Sequence, residues 1–315
     1  MMSNEVRIDT IGLVGLGLMG QGIASCLIGY GFHVIAYSRT AAREQETLAH
    51  ISGSIKKLVE RNLITESETE GWEERFRYVN SIEEMGDCQF VIETVGESLE
   101  LKREIYKTIE SVVEKDVVIA TNTSGISVSL LQKELQYKER FIAMHWAEPA
   151  EITRYLEISP GETTADYALE VGRQIGKRCG KHPTVLNFDI PGLISNRMMY
   201  AIMREAVHLV ETGVADIETV DRSFRNDIGW WATLCGPFRW MDLTGLPIYA
   251  KVMEGLFPEL SNNEKLPELM KEKVATKTKF YDYNKEEEEE WENMWTEFTH
   301  DINALVRKYE DKAKL

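Results

Sequence analysis

The chain has 315 residues, 43% hydrophobic and 28% charged, which is enough for two ordinary domains and too apolar for wholesale disorder. With 52 acidic against 36 basic side chains the formal charge is -16; this speaks against a nucleic-acid binder, because neutralising phosphates requires clustered Lys and Arg. No run of about 18 apolar residues is long enough to span a membrane, the start MMSNEVRIDT lacks the charged-then-apolar pattern of a leader, and the scattered Cys26, Cys88, Cys179 and Cys235 form neither a zinc pattern nor a disulfide framework. The expectation is a cytoplasmic protein with no metal and no membrane association.

Up to about residue 187, short β-branched runs alternate with helical patterns: Ile11 to Val14, Val34 to Tyr37, Phe90 to Glu93, Val117 to Thr121, Phe141 to His145 and Tyr155 to Ile158. Strand, helix, strand repeated in this way predicts α/β architecture, a mostly parallel doubly wound sheet of Rossmann type. After Pro191 and Gly192 helical spacing takes over, as in Met198, Ile202, Glu205, Ala206, Leu209 and Val210, with Gly213 as a stop. The expected domains are residues 1–187, which bind a dinucleotide, and residues 188–315, all-helical, for substrate and dimerisation. The last piece runs from the acidic stretch Glu286 to Glu290 through Trp291, Trp295, Phe298, Ile302, Leu305 and Tyr309, a single helical stripe. It predicts a terminal helix docked on its own subunit, with a dimer contact as the alternative. A homodimer is expected in either case, because a small helical domain cannot easily bury all its stripes alone.

The strongest motif is Gly15-Leu16-Gly17-Leu18-Met19-Gly20, which follows the first strand and opens a helix. Gly15 permits the tight turn, Gly17 lets a pyrophosphate approach the backbone, Gly20 lets helix and sheet pack closely, and the helix N-terminus offers unpaired N–H groups to phosphate. The second strand ends in Ser38-Arg39-Thr40, where folds that bind NAD usually place an acidic residue for the ribose hydroxyls. A serine and a guanidinium would hold a 2′-phosphate instead. The cofactor expected is therefore NAD(P), with NADP preferred. His145 ends a buried-looking strand on the side where open α/β sheets bind ligands, and Glu157 lies in the next strand, placed to orient the imidazole of a proton acceptor. From these residues alone, a structural His–Glu pair is as good a reading.

Several motifs together resemble the L-3-hydroxyacyl-CoA dehydrogenase family, with its lambda-crystallin, gulonate and carnitine dehydrogenase branches. They are the glycine turn, Glu97-Ser98-Leu99-Glu100-Leu101-Lys102, Asn122-Thr123-Ser124, His145 through Glu157, Pro191 through Arg197, and Gly236-Pro237-Phe238 followed by Asp242-Leu243. The resemblance implies that His145 is the general base and Glu157 its orienting partner. It implies that Ser124 and Asn196 hold the substrate oxygen, and that Glu97 and Lys102 contact the nicotinamide ribose side, in a cofactor site that also includes Asn122. Two departures stand out. The family's cofactor-facing Asn after the His is Glu148, and its Gly-x-Gly-Phe-Tyr is Lys277-Thr278-Lys279-Phe280-Tyr281.

The resemblance implies oxidation and reduction between a 3-hydroxyacyl-CoA and its 3-oxo form, in fatty-acid metabolism. The alternative is the same chemistry on a free small 3-hydroxy acid, and a non-catalytic nucleotide-binding or crystallin-like protein is the reading from another class. A CoA substrate calls for cations on the helix after the second strand, where Lys56, Lys57 and Arg61 are candidates beside Ser54.

Overall fold

The computed structural model describes residues 7–313, with side chains described as far as Tyr309; the N-terminal MMSNEV, considered above for a leader, lies outside them. The chain resolves into two compact units, Met1–Ile194 and Ser195–Leu315.

The first unit is built on one eight-stranded sheet: β1 (Thr10–Val14), β2 (His33–Tyr37), β3 (Phe76–Val79), β4 (Phe90–Glu93), β5 (Val118–Thr121), β6 (Phe141–Trp146), β7 (Tyr155–Pro160) and β8 (His182–Val185). Their order is β3-β2-β1-β4-β5-β6-β7-β8. Every pairing is parallel except that of β6 with β7. The connections carry α1 (Leu18–Gly29), α2 (Arg43–Glu60), the short α3 (Glu66–Thr69), α4 (Leu99–Val112), the short α5 (Val128–Gln132) and α6 (Asp166–Arg178). Because successive strand residues point to opposite faces, the sheet has two cores. Phe90 and Ile92 pack with Ile23 of α1, Ile51 of α2 and Ile175 of α6, while Val91 packs with Tyr106 and Ile109 of α4 and Leu131 of α5. The architecture is the doubly wound Rossmann type expected.

The six expected strands are present, and β3 and β8 join them as the two sheet edges. Both read poorly as strands for the reason that suits them to an edge. β3 carries Arg77, and β8 carries Pro183, which cannot donate to a ladder.

One charged group lies at the heart of this unit. Glu93, the last residue of β4, and Lys102 of α4 have no exposed surface. The Lys102 ammonium donates to both Glu93 oxygens at 2.9 and 3.0 Å, and Tyr106 and Thr121 hydroxyls donate to the same carboxylate at 2.5 and 2.9 Å. A buried ion pair persists when its remaining lone pairs are satisfied in this way. The pair locks the end of β4 to α4 and β5.

The second unit is all-helical: α7 (Ser195–Glu211), α8 (Ile217–Asn226), α9 (Ile228–Leu234), α10 (Gly236–Thr244), α11 (Leu246–Leu256), α12 (Glu268–Thr276) and α13 (Lys285–Ala313). Gly213, at φ +74°, ends α7 as expected, with its N–H on the Val210 carbonyl. Asp216 caps α8 through the Thr219 N–H at 2.8 Å. None of the apolar side chains described between residues 195 and 309 is fully buried. The terminal helix forms where expected, but its aromatic stripe is not its docked face. Trp291, Trp295, Phe298, Leu305 and Tyr309 stay exposed, and the covered residues of α13 are His300 and Asn303. The expectation that this stripe docks on its own subunit is thereby corrected. No helix among the described residues is long and apolar enough to cross a membrane.

Lys102→Met leaves the buried Glu93 carboxyl without its cation and should destabilise the first unit by roughly 3–5 kcal/mol. Urea unfolding followed through this unit checks it, and a change under about 1 kcal/mol would show that the pair is not what holds β4 to α4.

Candidate active site

The glycine turn sits between the end of β1 and the start of α1. Gly15 has φ +106°, and a Cβ there would lie 2.8 Å from the Thr94 hydroxyl, which itself donates to the Gly15 carbonyl at 2.9 Å. A Cβ on Gly20 would come within 2.1 Å of the Gly15 oxygen, so the helix can approach the turn only as glycine. A Cβ on Gly17 would meet nothing within 4 Å: the backbone faces open space at the start of α1. That helix has no acidic residue in its first turn and no side-chain cap, so its first N–H groups and its positive dipole end are available to an anion. Leu18 is exposed and Met19 packs on the core. A cavity of about 200 Å³ runs from this turn past Ser38 and Arg39 to Leu101 and Ile105. The Arg39 side chain is exposed, and the Ser38 carbonyl accepts from the Tyr78 hydroxyl at 2.7 Å. Glycine turn, helix end and apolar slot fit a dinucleotide.

The second half of the site stands at the carboxyl end of β6. Antiparallel register sets His145 directly opposite Glu157, yet the carboxylate does not bond the imidazole: Glu157 Oε2 is 3.9 Å from Nδ1. Tyr155, two residues earlier on the same face of β7, bridges the gap. Its hydroxyl donates to Glu157 at 2.8 Å and lies 2.8 Å from His145 Nδ1, with the two rings edge-to-face at 5.5 Å. With the tyrosine proton on Glu157, a neutral imidazole carries its own proton on Nδ1, toward the tyrosine oxygen, and its lone pair on Nε2, 3.2 Å from the Ser124 hydroxyl. The direct carboxylate–imidazole bond expected from the sequence is thus relayed through Tyr155.

Glu97 organises the loop after β5. Its Oε1 accepts from the Ser124 and Gly125 N–H groups at 3.1 and 3.0 Å and from the Thr123 hydroxyl, and Lys102 stands 3.5 Å from its other oxygen. Although burial opposes ionisation, the Thr123 hydroxyl, Lys102 and these N–H groups hold its carboxyl below the usual range. Lys102 itself is enclosed by Glu93 and Glu97, so it reaches the cleft only through Glu97. Asn122 Oδ1 accepts from the Trp146 N–H at 2.9 Å, tying the end of β5 to the end of β6. Glu148 follows β6 and is exposed on one side. Lost hydration on its walled-in side, then the neighbouring Glu151 carboxylate, push its carboxyl up to about 7. Asn196 stands in the first turn of α7, in the second unit.

The network therefore joins Ser124, His145, Glu157, Glu97, Lys102 and Asn122. It also contains three residues that sequence reasoning did not single out: Tyr155, Glu93 and Thr123. The signal for Tyr155 was present, since positions two apart in a strand share a face. Glu93 hid at the end of an apolar run.

Two family models match the chain: 3-hydroxyacyl-CoA dehydrogenase, NAD binding domain, over residues 10–189, and 3-hydroxyacyl-CoA dehydrogenase, C-terminal domain, over residues 192–287. A 5-formyl-3-hydroxy-2-methylpyridine 4-carboxylate 5-dehydrogenase from Mesorhizobium japonicum is 34% identical over 269 residues, 85% of this chain and 86% of the relative. A crystal structure of an enzyme of that kind, described as an NAD+ dependent dismutase, superposes with a TM-score of 0.88 at 30% identity, covering 96% of this chain and 99% of the other. A (S)-3-hydroxybutyryl-CoA dehydrogenase from Ralstonia eutropha gives a TM-score of 0.73 at 29% identity, over 89% of this chain and all of the other. A glycine turn shaped for a dinucleotide, a histidine at the end of β6 hydrogen-bonded to Tyr155, and both family domains in order lead to one conclusion: the chain is an oxidoreductase of the 3-hydroxyacyl-CoA dehydrogenase family, with an NAD-binding domain.

Proposed function

We propose that the protein is a nicotinamide-dependent dehydrogenase acting on a small free carboxylic acid that bears an oxidisable hydroxyl or formyl group, with His145 as its general base. The observation that carries the chemistry is the chain Glu157, Tyr155, His145, Ser124, which fixes one tautomer and presents Nε2 as an acceptor. In oxidation of an alcohol, Nε2 takes the hydroxyl proton, and the charge it acquires is stabilised by Glu157 through Tyr155. Ser124 holds the substrate oxygen, the role that the resemblance also implies for Asn196. A bound nicotinamide supplies the hydride acceptor, or the donor in reduction. Gly15, Gly17 and Gly20 with the start of α1 would hold its pyrophosphate, Leu18 and Met19 border the turn, and Glu97, positioned by Lys102, would meet the nicotinamide ribose. Asn122 and Glu148 border the nicotinamide end.

The free-acid reading rests on the likeness to the pyridine-carboxylate enzyme, which covers 96% of the chain. It is supported by what surrounds the candidate CoA anchors on α2. The Ser54 hydroxyl donates to Glu151 at 3.2 Å, and Lys56, 78% exposed, pairs with Glu60, so two of the four candidate anchors already have a carboxylate partner. A 3-hydroxyacyl-CoA such as 3-hydroxybutyryl-CoA is the second reading, favoured by the family models themselves. A panel of free hydroxy and formyl carboxylates against matched 3-hydroxyacyl-CoA thioesters separates them. The free acids should lead by at least about tenfold in kcat/KM, a difference of roughly 1.4 kcal/mol, and a lead for the thioesters would establish the second reading.

His145→Gln should lower kcat by roughly 10²- to 10⁴-fold, the usual worth of a positioned base, with cofactor affinity kept. Tyr155→Phe removes the relay while leaving the ring and should cost about 10- to 100-fold, as for a hydrogen bond to a charged group. Near-normal kcat in either folded variant would remove that residue from the mechanism.

NADP preferred over NAD is the finer cofactor proposal, supported by the absence of a carboxylate at Ser38-Arg39-Thr40. A charge-assisted contact of about 1.5–3 kcal/mol corresponds to a preference on the order of tenfold to a hundredfold in kcat/KM. Ser38→Asp with Arg39→Gln should invert it, and initial rates equal or better with NAD in the unaltered protein would contradict it.

A further inference from the structure

The loop between β6 and β7 ties the candidate base to the dinucleotide helix. The Pro149 carbonyl accepts from the Ile152 and Thr153 N–H groups at 3.1 and 3.0 Å, and the Thr153 hydroxyl donates to the Ala147 carbonyl at 3.1 Å. From just before β8 the Lys181 ammonium donates to the Ala150 and Thr153 carbonyls. The loop lies on α1: a Cβ on Gly22 would stand 3.2 Å from the Ala150 Cβ and 3.0 Å from Glu151 Oε2. It carries two carboxylates. The Glu151 side chain is only 10% exposed, and its Oε1 accepts from Ser54 at 3.2 Å and lies 3.8 Å from His50 Nε2. Its Oε2 is buried with no hydrogen-bond partner among the described residues. Glu148 is open to solvent on one side. Lost hydration and then the Glu151 charge raise its carboxyl to about 7, and no cation among the described residues opposes them. The other ionisable groups around the pair are His145 at the end of β6, His50 on α2, Cys26 on α1 and Lys181, whose ammonium is already engaged by the two carbonyls. A carboxyl that faces a like charge and no cation is one whose ionised form an incoming cation favours.

In the reading given above, His145 Nε2 takes the hydroxyl proton across about 2.6–3.2 Å, and a nicotinamide takes the hydride from the adjoining carbon across about 3–3.5 Å. The ring must then lie within a substrate atom or two of the end of β6, and Glu148 is the third residue past His145. We propose that Glu148, backed by Glu151, selects the oxidised, cationic nicotinamide over the reduced, neutral one. The two forms share every other group, so the discrimination falls on the charge of the ring. Glu97, the other carboxylate at this end, is opposed by Lys102 at 3.5 Å, which leaves Glu148 as the group that responds. Closing the thermodynamic cycle, the bound reduced form is the better hydride donor to the same extent. The inference rests on the placement of the nicotinamide in that reading and is independent of the substrate.

The test is calorimetric titration of the full chain with NAD+ and with NADH, read as the ratio of the NADH Kd to the NAD+ Kd, in which the adenosine and pyrophosphate contributions cancel. Below about pH 7 the cation must displace the Glu148 proton to solvent, and above it the carboxylate stands ready, so the preference for NAD+ is lost as pH falls. If the cation lowers this half-solvated carboxyl by one pH unit, the gain is about tenfold once it is ionised. The ratio should therefore rise about fivefold from pH 6 to pH 8, and Glu148→Gln should lower it about tenfold at pH 8 and only about twofold at pH 6. Glu151→Gln, which removes the repulsion, should move the rise to lower pH. A ratio that falls with pH in the unaltered protein, or that Glu148→Gln leaves unchanged at pH 8, would overturn the proposal. The placement of the ring is read separately from the nitrogen-15 signals of His145, which should move when either form binds. Signals that move beside a ratio indifferent to Glu148 sink this proposal alone, whereas signals that stay put sink the placement of the nicotinamide with it.

Discussion

The antiparallel pairing of β6 with β7 is the constraint on which the candidate active site depends. In a sheet otherwise parallel from β3 to β6, this one reversal brings the start of β7 against the end of β6. Register then places Glu157 opposite His145, and the two-residue period of the strand puts Tyr155 on the same face. A parallel strand here would have set its far end, around Ile158 and Pro160, beside the imidazole. The relay is also a directional device: a tyrosine hydroxyl has one proton, and committing it to Glu157 forces His145 to donate from Nδ1.

A second framework meets this one at the loop after β5. The buried Glu93–Lys102 pair fixes the ends of β4, β5 and α4, and Lys102 passes that fixity to Glu97, which gathers the N–H groups of Ser124 and Gly125. Ser124 is therefore held from below by the core and meets His145 from the side. Thr94, next after Glu93, holds the Gly15 carbonyl. The dinucleotide turn and the proposed proton acceptor are thus tied to neighbouring residues of one strand end, as positioned catalysis requires.

Much of this was legible in the sequence because the decisive signals are local. The glycine spacing, the strand-end histidine and the alternating β-branched runs each follow from the period of an element or the geometry of a turn. The edge strands were not legible, since Arg77 and Pro183 blunt the very pattern that marks a strand. Tyr155 was passed over because tyrosine is an ordinary strand former, and its role exists only through a cross-strand partner. Lys102 looks like a helix-surface lysine until the fold brings Glu93 beneath it. The stripe of α13 was legible as a helix face, but what it faces is tertiary information: period locates an apolar side and does not say what covers it.

The central claim is a tautomer, and it can be observed without turnover. Nitrogen-15 NMR of the His145 imidazole at neutral pH, assigned by comparison with His145→Gln, reads which ring nitrogen carries the proton. The relay requires Nδ1 protonated and Nε2 bare, with the Nδ1 signal moving in Tyr155→Phe. An imidazole protonated at Nε2 instead would contradict the account, because the nitrogen facing Ser124 would then have no lone pair to receive a proton.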